Sequence, residues 1–431
     1  MVSYVLVDWG TVSLGSLDPY FRSATCSPSN VALDGGCVIA SLDSNLQASI
    51  WSPTKNRLQG PWKKVVGELR NLIGSSLPPN DPADDTGPVN ILQTQVTSLA
   101  WSSQPNFSVS PSITKDASVL AVGSRAGNVD LYRYIASESQ AELKGLVRIP
   151  LGDRWVSLLA WSSWKSSQPG HCHALLACGI SDGSISIIRV EQTLFPASST
   201  PELVAGYEDS VVSGALHIKS DVPSGQALTS LRWIETPQMD HILISSTPGQ
   251  LQLWYSLDYP SASREIRVIN LRTIPLSVGS TSLSPITGVS YIPHRDILVI
   301  SLADGSLHVE GHISKKPSSD VLAPNADLTS ESLSATARSI CSTMQSDGLI
   351  FADVNQINGM VPYDNGSTFA WLHEIVRPKE FDYKHDAKHT SVFVVAQLFQ
   401  GPTDEDVLEM IARETHSSES GRAIKIAEAC I

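Results

Sequence analysis

Short apolar runs recur along the chain, each followed by a tight turn and then by strict alternation of apolar and polar residues. Four copies align on the glycine of the turn, namely Gly127, Gly183, Gly249 and Gly305. In each copy a small residue stands four positions before the glycine, and apolar residues stand two and four positions after it. Glycine supplies the positive φ that such a turn needs, and alternation marks a strand with one buried face. The pattern therefore predicts a repeated β-hairpin.

A second motif precedes each hairpin and places an aromatic residue two positions after an aliphatic one. It reads Leu-Ala-Trp-Ser at 99–102 and again at 159–162, and it is looser near Trp233 and Tyr291. Side chains two residues apart lie on the same face of a strand. We therefore assign Trp101, Trp161, Trp233 and Tyr291 to the strand core and not to a base-stacking surface.

The series extends at both ends of the chain. Weaker copies occur at 37–46 and 346–351, and a seventh unit is predicted in 367–375 together with 390–398. We predict an all-β fold, a WD-repeat-like β-propeller over residues 1–402 with seven blades of four antiparallel strands. Six or eight blades are also compatible with the spacing. Proline-rich polar stretches such as 74–89 predict surface loops within the blades.

The pattern changes after Pro402. Val407, Leu408 and Ile411 have helical spacing, and Thr403 with Asp406 resembles a capping box. We predict a short helical extension over residues 403–431. Because the last apolar segment has no helix stop signal, we expect this extension to begin a linker to a carboxy-terminal domain.

Charge and cysteine usage bear on the partners. The chain has 30 basic and 43 acidic residues, a net charge of −13. Binding to nucleic acid or to an anionic membrane depends on clustered Lys and Arg, so we predict protein partners and at most indirect or weak DNA contact. The six cysteines form no C-x-x-C pair, and no apolar run approaches the ~18 residues of a membrane span. We expect a soluble protein in a reducing compartment.

One segment, residues 377–389, mixes basic and aromatic residues in the way that protein interfaces favour. The candidate contact residues in it are Arg377, Lys379, Phe381, Tyr383, Lys384, His385 and Lys388. The alternative for this segment is a solvated loop without a partner.

Motifs for catalysis or metal binding are sparse. The residues 171–173 (His-Cys-His) with Cys178 fit no standard zinc spacing. His385 and His389 are plausible ligands, but they stand among charged residues in a predicted loop. Ser162 and Lys165 match S-x-x-K, but the supporting motifs of a serine acylase are missing, as are phosphate-binding loops and nucleophile elbows. We predict no catalytic residue, no metal, no cofactor and no small-molecule substrate.

Several of these stretches are similar to one family. Trp-Ser-Pro at 51–53 with the following Gly60-Pro-Trp-Lys-Lys-Val65, the two Leu-Ala-Trp-Ser motifs, and residues 369–389 resemble the amino-terminal WD-repeat propeller of the transcription factor IIIC delta (90 kDa class) subunit, fungal type. The resemblance covers most of residues 1–402. The chain lacks the Trp-Asp ending of standard WD repeats, since Tyr132, Ile188, Trp254 and Glu310 occupy that position without a following Asp.

The resemblance implies a nuclear, non-catalytic scaffold in promoter recognition and initiation by RNA polymerase III. It also implies contacts with other transcription factor IIIC subunits, with the TATA-binding protein and with the initiation machinery. Two alternatives stay open: a generic WD-repeat adaptor of another nuclear or cytoplasmic complex, and an acetyltransferase-like enzyme, an activity attributed to some animal members of the family. Co-purifying proteins and a cofactor-dependent transfer assay separate these alternatives.

Overall fold

The structure is a computed structural model of the chain. It describes residues 20–33, 35–54, 61–66, 92–109, 116–137, 141–196, 207–219, 226–236, 241–255, 257, 265–271, 284–315, 330–343, 354–363, 366–376, 390–399, 405 and 408. They belong to two compact units, Met1–Ala227 and Leu228–Ile431. Within the described ranges, no helix has the length and apolar character needed to cross a membrane.

The described residues of the first unit form three antiparallel sheets, A to C. Sheet A orders β1 (Phe21–Cys26), β2 (Ile39–Asp43), β3 (Ala48–Pro53) and β4 (Trp62–Val66); sheet B orders β5 (Val96–Trp101), β6 (Leu120–Ser124), β7 (Asn128–Ile135) and β8 (Glu142–Pro150). Sheet C contains β9 (Val156–Trp161), β10 (Lys165–Gln168), β11 (His171–Ile180), β12 (Ile185–Pro196) and β13 (Tyr207–Lys219). Both β9 and β10 pair with β11, at opposite ends of that strand.

The described residues of the second unit include sheets D to F and a helix. Sheet D orders β14 (Ser230–Glu235), β15 (His241–Thr247), β16 (Gln250–Tyr255) and β17 (Glu265–Asn270). Sheet E orders β18 (Ile286–Ile292), β19 (Ile297–Leu302) and β20 (Leu307–Gly311), and the helix α1 (Ser330–Thr343) follows it along the chain. Sheet F orders β21 (Val354–Pro362), β22 (Thr368–Val376) and β23 (Thr390–Gln397).

The core lies between neighbouring sheets of each unit, and strand alternation explains how. Along β7, Val129 and Leu131 pack into the apolar cluster shared with sheet C, whereas Tyr132 and Tyr134 pack into the cluster shared with sheet A. A central sheet is therefore apolar on both faces. Burying a side chain such as Leu131 stabilises the fold by about 1.5–3 kcal/mol.

The predicted all-β fold of repeated antiparallel units is confirmed, but the count of seven blades is not. The described residues contain six sheets. The sixth predicted unit, 346–351, lies outside them, and the strands predicted for a seventh unit, 367–375 and 390–398, are β22 and β23 of sheet F. A turn signal marks a hairpin and does not show which sheet that hairpin joins.

The helix α1 was not predicted from the sequence. Leu333 and Ala337 are buried four residues apart, the spacing of one helix face, and Ile340 packs against the same cluster. Of residues 403–431 the structure describes Glu405 and Leu408, both helical. The helical extension and its role as a linker stay predictions.

Candidate partner-binding surfaces

The four turn glycines join consecutive strands of sheets B to E. Their φ angles are 78° at Gly127, 86° at Gly183, 79° at Gly249 and 83° at Gly305, a region that strains other residues. At Gly127 a Cβ would also overlap the Gly152 carbonyl oxygen, because the turn packs against the connection from sheet B to sheet C. These glycines therefore fix the conformation of one tight turn in each of sheets B to E.

A small residue before the turn permits close packing of adjacent sheets. A Cβ at Gly123 would lie 2.8 Å from Cγ1 of Val156, the first residue of β9 in the neighbouring sheet. Glycine at position 123 therefore allows β6 of sheet B to approach β9 of sheet C this closely.

The strand aromatics differ in their surroundings. Trp101 and Trp233 are buried, whereas Trp161 and Tyr291 are half-buried. The Trp101 indole N–H donates to Ser118 Oγ at 2.9 Å, and the Trp161 ring stacks on Trp164 with centroids 5.8 Å apart. Tyr291 donates its hydroxyl to Asp296 Oδ1 at 2.9 Å.

Sequence reasoning missed one repeated feature of the first unit, which we call the serine clamps. The clamps are Ser27, Ser102 and Ser162, one just after the first strand of each sheet. The N–H of each serine donates to the carbonyl of one partner residue, and the N–H of that partner donates back to the serine Oγ. The partners are Val38, Val119 and Leu175 respectively, and the bonds are 2.8–2.9 Å long. The signal was partly visible, since two of the three serines end the Leu-Ala-Trp-Ser motifs. All three are buried.

Sheet C extends well beyond the end of its first strand, β9. β9 pairs with β11 only as far as Leu176, but β12 and β13 stay paired to Pro196 and Tyr207. The residues of β12 beyond Ile188 span about 25 Å at ~3.3 Å per residue. We call this paired part of β10 to β13 the arm.

The arm is held by a loop from sheet B and by a buried arginine. Phe107 packs with Cys172 and Leu194, and its carbonyl accepts from the Gly170 N–H at 2.8 Å. The Arg133 guanidinium donates to Gln192 Oε1 at 3.1 Å and to Ser210 Oγ at 2.7 Å, where all three residues are buried. A charged group in that position fixes the arm because its hydrogen bonds are costly to leave unmade.

In the second unit, α1 covers the outer edge of sheet E with hydroxyl groups. Ser334 Oγ accepts from the Leu307 N–H at 2.9 Å, and Ser330 Oγ accepts from the Val309 N–H at 3.1 Å. These two N–H groups are alternate donors of β20. Leu333 and Ala337 bury the inner side of the helix against the same sheet.

Sheet F buries one face and exposes the other. Phe369, Trp371 and Val394 lie in the apolar cluster shared with sheet E. The opposite face, which we call the open face, carries three register rows: Tyr363–Thr368–Gln397, Val361–Ala370–Val395 and Asn358–Leu372–Phe393. Four of its apolar side chains are largely exposed, namely Val361 (54%), Tyr363 (79%), Phe393 (69%) and Val395 (52%).

The candidate metal residues do not converge. His171 and His173 lie on one face of β11, and Cys172 and Cys178 lie on the other. Burial raises the pKa of Cys172 to about 12 and also raises the pKa of Cys178, so neither thiol ionises readily. Among the residues that the structure describes, no group of three or more His, Cys, Asp or Glu could hold a metal ion. His385 and His389 lie outside those residues.

The serine of the S-x-x-K match belongs to a clamp. Besides its bond to Leu175, Ser162 Oγ lies 3.1 Å from the Ser163 carbonyl and is buried. This hydroxyl is engaged on both sides by backbone groups, which does not suit a nucleophile.

The basic and aromatic segment lies outside the described residues. Arg377, Lys379, Phe381, Tyr383, Lys384, His385 and Lys388 all fall within 377–389, between β22 and β23. Their role as a contact surface stays a prediction.

Comparison with known proteins gives one family and two distant structures. No curated protein matches the chain. The WD40 domain of SCAP from fission yeast is 10% identical over 88% of this chain and 73% of that one, with a TM-score of 0.40. The structure of Chaetomium thermophilum Sqt1 bound to the N-terminus of the ribosomal protein L10 is 13% identical over 65% and 60%, with a TM-score of 0.33. TM-scores of this size carry no functional information.

One family model also matches most of the chain. The model of the transcription factor IIIC subunit delta beta-propeller domain matches residues 10–362, which include sheets A to E and β21. The match confirms the resemblance read from the Leu-Ala-Trp-Ser motifs and the segment at 51–65. The chain is an all-β propeller protein with few helices, and it belongs to the transcription factor IIIC delta-subunit propeller family.

Proposed function

We propose that the protein is a non-catalytic scaffold subunit of transcription factor IIIC and acts in promoter recognition and initiation by RNA polymerase III. The observation that carries this proposal is the family match over residues 10–362. Propeller blades whose strands are joined by tight glycine turns present their loops in fixed positions, which suits protein binding. We place the protein in the nucleus on the same ground.

The proposed partners are the other subunits of transcription factor IIIC, and beyond them the TATA-binding protein and the initiation machinery. The net charge of −13 favours protein contacts over direct DNA contact. Co-expression of the tagged chain with the other subunits tests the assignment. We expect a stoichiometric complex that survives size-exclusion chromatography. Recovery of the chain free of every other subunit would favour a WD-repeat adaptor of another complex.

Two assays on the isolated chain address the remaining alternatives. We expect only weak, sequence-independent retention of labelled promoter DNA, and selective binding would overturn the scaffold assignment. We expect no transfer of acetyl groups from acetyl-coenzyme A to histone peptides. Transfer activity that is lost with heat-denatured protein would establish an enzyme.

We further propose that residues 377–389 contact a partner subunit. The double substitution Phe381→Ala and Tyr383→Ala should weaken assembly of the co-expressed complex at least tenfold, because aromatic anchors dominate such interfaces. Leu92→Ala, at an exposed apolar position of the first unit, is the control. Unchanged assembly with both variants would leave the solvated-loop interpretation.

A further inference from the structure

Two cysteines that form no C-x-x-C motif are brought together at one end of sheet A. Cys26 is the last residue of β1 and pairs with Ile39, the first residue of β2. The first serine clamp continues this pairing by one step, because the Ser27 N–H donates to the Val38 carbonyl at 2.9 Å. Cys37 is the next residue, so the two cysteines lie on either side of the clamp.

Both cysteine side chains lie on the same face of the sheet. Val38 is fully buried in the core cluster shared with sheet B, so its two neighbours, Cys37 and Ile39, point away from that core. Cys26 faces the same way as its register partner Ile39. Cys26 and Cys37 are therefore diagonal neighbours, a relation in which the Cα atoms lie about 7–8 Å apart and the Cβ atoms lie closer.

This spacing is close to the spacing of a disulfide, which needs a Cα separation of about 4.4–6.8 Å. Both thiols are free, Cys26 being exposed and Cys37 half-buried. The two groups also interact electrostatically, since burial, and after it the charge of Cys37, raises the pKa of the Cys26 thiol. That interaction is a second, independent sign that the thiols are close to each other.

The two cysteines of sheet C differ in both respects. Cys172 and Cys178 lie on one strand, β11, and the strand between them spans about 20 Å at ~3.3 Å per residue. Both are buried, and buried thiols in such surroundings are inert. They therefore serve as controls within the same chain.

We propose that Cys26 and Cys37 form a reversible redox site whose oxidant is a low-molecular-weight disulfide such as oxidised glutathione. The Cys26 thiolate attacks one sulfur of glutathione disulfide, which forms a mixed disulfide and releases one glutathione thiolate. The Cys37 thiolate then attacks the Cys26 sulfur, which forms the bond between the two cysteines and releases the second glutathione thiolate. The two protein thiols are oxidised, the glutathione disulfide is reduced, and the two released thiolates take up the two protons.

The geometry makes this bond a labile one. Closing the diagonal by about 1 Å has to displace the end of β1 or the residues before β2, and such strain makes a disulfide easier to reduce. A reducing compartment, which the cysteine usage predicts, keeps the pair as two thiols. The bond forms when the ratio of oxidised to reduced glutathione rises. The inference concerns sheet A alone and does not depend on the proposed function.

Peptide mass spectrometry of the full chain tests the proposal, after incubation with oxidised glutathione and alkylation of the remaining thiols. We expect the main new bond to join Cys26 and Cys37, and excess reduced glutathione should remove it. Cys172 should stay reduced in the same sample. The bond should form roughly tenfold faster at pH 8.5 than at pH 7.5, because the raised pKa leaves Cys26 mostly protonated at both values.

Two serine variants test the order of the steps. Cys37→Ser should carry glutathione on Cys26 at a level at least about tenfold above that of the wild type, because the thiol that resolves the mixed disulfide is gone. Cys26→Ser should form neither the mixed disulfide at this position nor the bond. If a variant does not fold, as judged by its melting curve, the pattern of bonds in the wild type decides the matter.

Other results would overturn the proposal. Glutathione that stays on Cys26 of the wild type, with Cys37 still reduced, would show a single reactive thiol and no pair. A bond from Cys26 to a second molecule, or to Cys341 or Cys430, would show that the register does not select Cys37. A bond between Cys26 and Cys37 that excess reduced glutathione does not remove would be a structural disulfide and not a reversible site.

Discussion

Replacing Ser162 by alanine tests whether each serine clamp stabilises its own sheet in the first unit. The substitution removes the oxygen that accepts the Leu175 N–H at 2.8 Å, and both residues are buried. A buried donor that loses its acceptor costs about 1–3 kcal/mol. We therefore expect Ser162→Ala to destabilise sheet C by about 2 kcal/mol.

Hydrogen exchange resolved at the Leu175 amide is the direct measurement. A loss of about 2 kcal/mol corresponds to roughly 30-fold faster exchange if the amide exchanges through unfolding of its own sheet. Ser166→Ala is the control, because this serine of β10 is exposed and its hydroxyl lies at 3.4 and 3.5 Å from its acceptors. Less than threefold acceleration at Leu175, or equal acceleration in both variants, would refute the reasoning.

The same experiment can be repeated in the other two sheets of the unit. Ser27→Ala should act on the Val38 amide and Ser102→Ala on the Val119 amide, since the bonds are equivalent. The three clamps share no hydrogen-bond partner, so their effects should add within about 0.5 kcal/mol.

Three further predictions follow from other parts of the structure. Gly183→Val should lower stability by a few kcal/mol, because a β-branched residue is strained at a φ of 86°; Gly183→Asn should cost less than about 1 kcal/mol, and equal melting temperatures for the two variants would contradict this. Arg133→Met should speed exchange of residues 207–213 in the arm while sheet A is unchanged, because it removes the bonds to Gln192 and Ser210; unchanged exchange in the arm would count against the anchor. Burial lowers the pKa of His373 below its usual 6.5, so the unfolded chain binds the proton more tightly and stability should fall as pH drops below about 6.5. His373→Phe should flatten that dependence in urea unfolding between pH 7.5 and 5.5, and parallel curves would exclude the histidine.

The hairpins were predictable because their signals are local. Gly183 marks a turn, and the alternation of apolar and polar residues after it marks the buried face of the next strand. Both signals lie within a dozen residues. The resemblance to the family was carried by equally local motifs, the Leu-Ala-Trp-Ser repeats.

Features that depend on distant residues were not predictable. Arg133 stands in an alternating segment where a charged residue is ordinarily taken for a solvent-facing one, yet Gln192 and Ser210 from another sheet bury it. The arm could not be predicted because Pro196 and Pro201 favour a loop, and local signals do not show that the strands on both sides of that loop pair with each other. The number of blades was not predictable for a related reason, because the turn signal at 346–351 does not show whether its residues belong to a separate sheet.

The open face is a comparable case for the candidate sites. Phe393 and Val395 alternate with Val392 and Val394, and the sequence alone does not reveal which pair faces the core. Register with Trp371 decides it, because Val394 pairs with Trp371 in the cluster shared with sheet E.

The helix beside β20 has a consequence for how the protein can assemble. A strand that joins a sheet leaves a new row of backbone donors behind it, so the sheet can keep growing from one molecule to the next. A helix bonds its own backbone internally, and α1 meets β20 through the hydroxyls of Ser330 and Ser334. Because α1 engages the N–H groups of Leu307 and Val309, this edge of sheet E offers no strand to a second molecule, and the sheet does not grow from chain to chain through it.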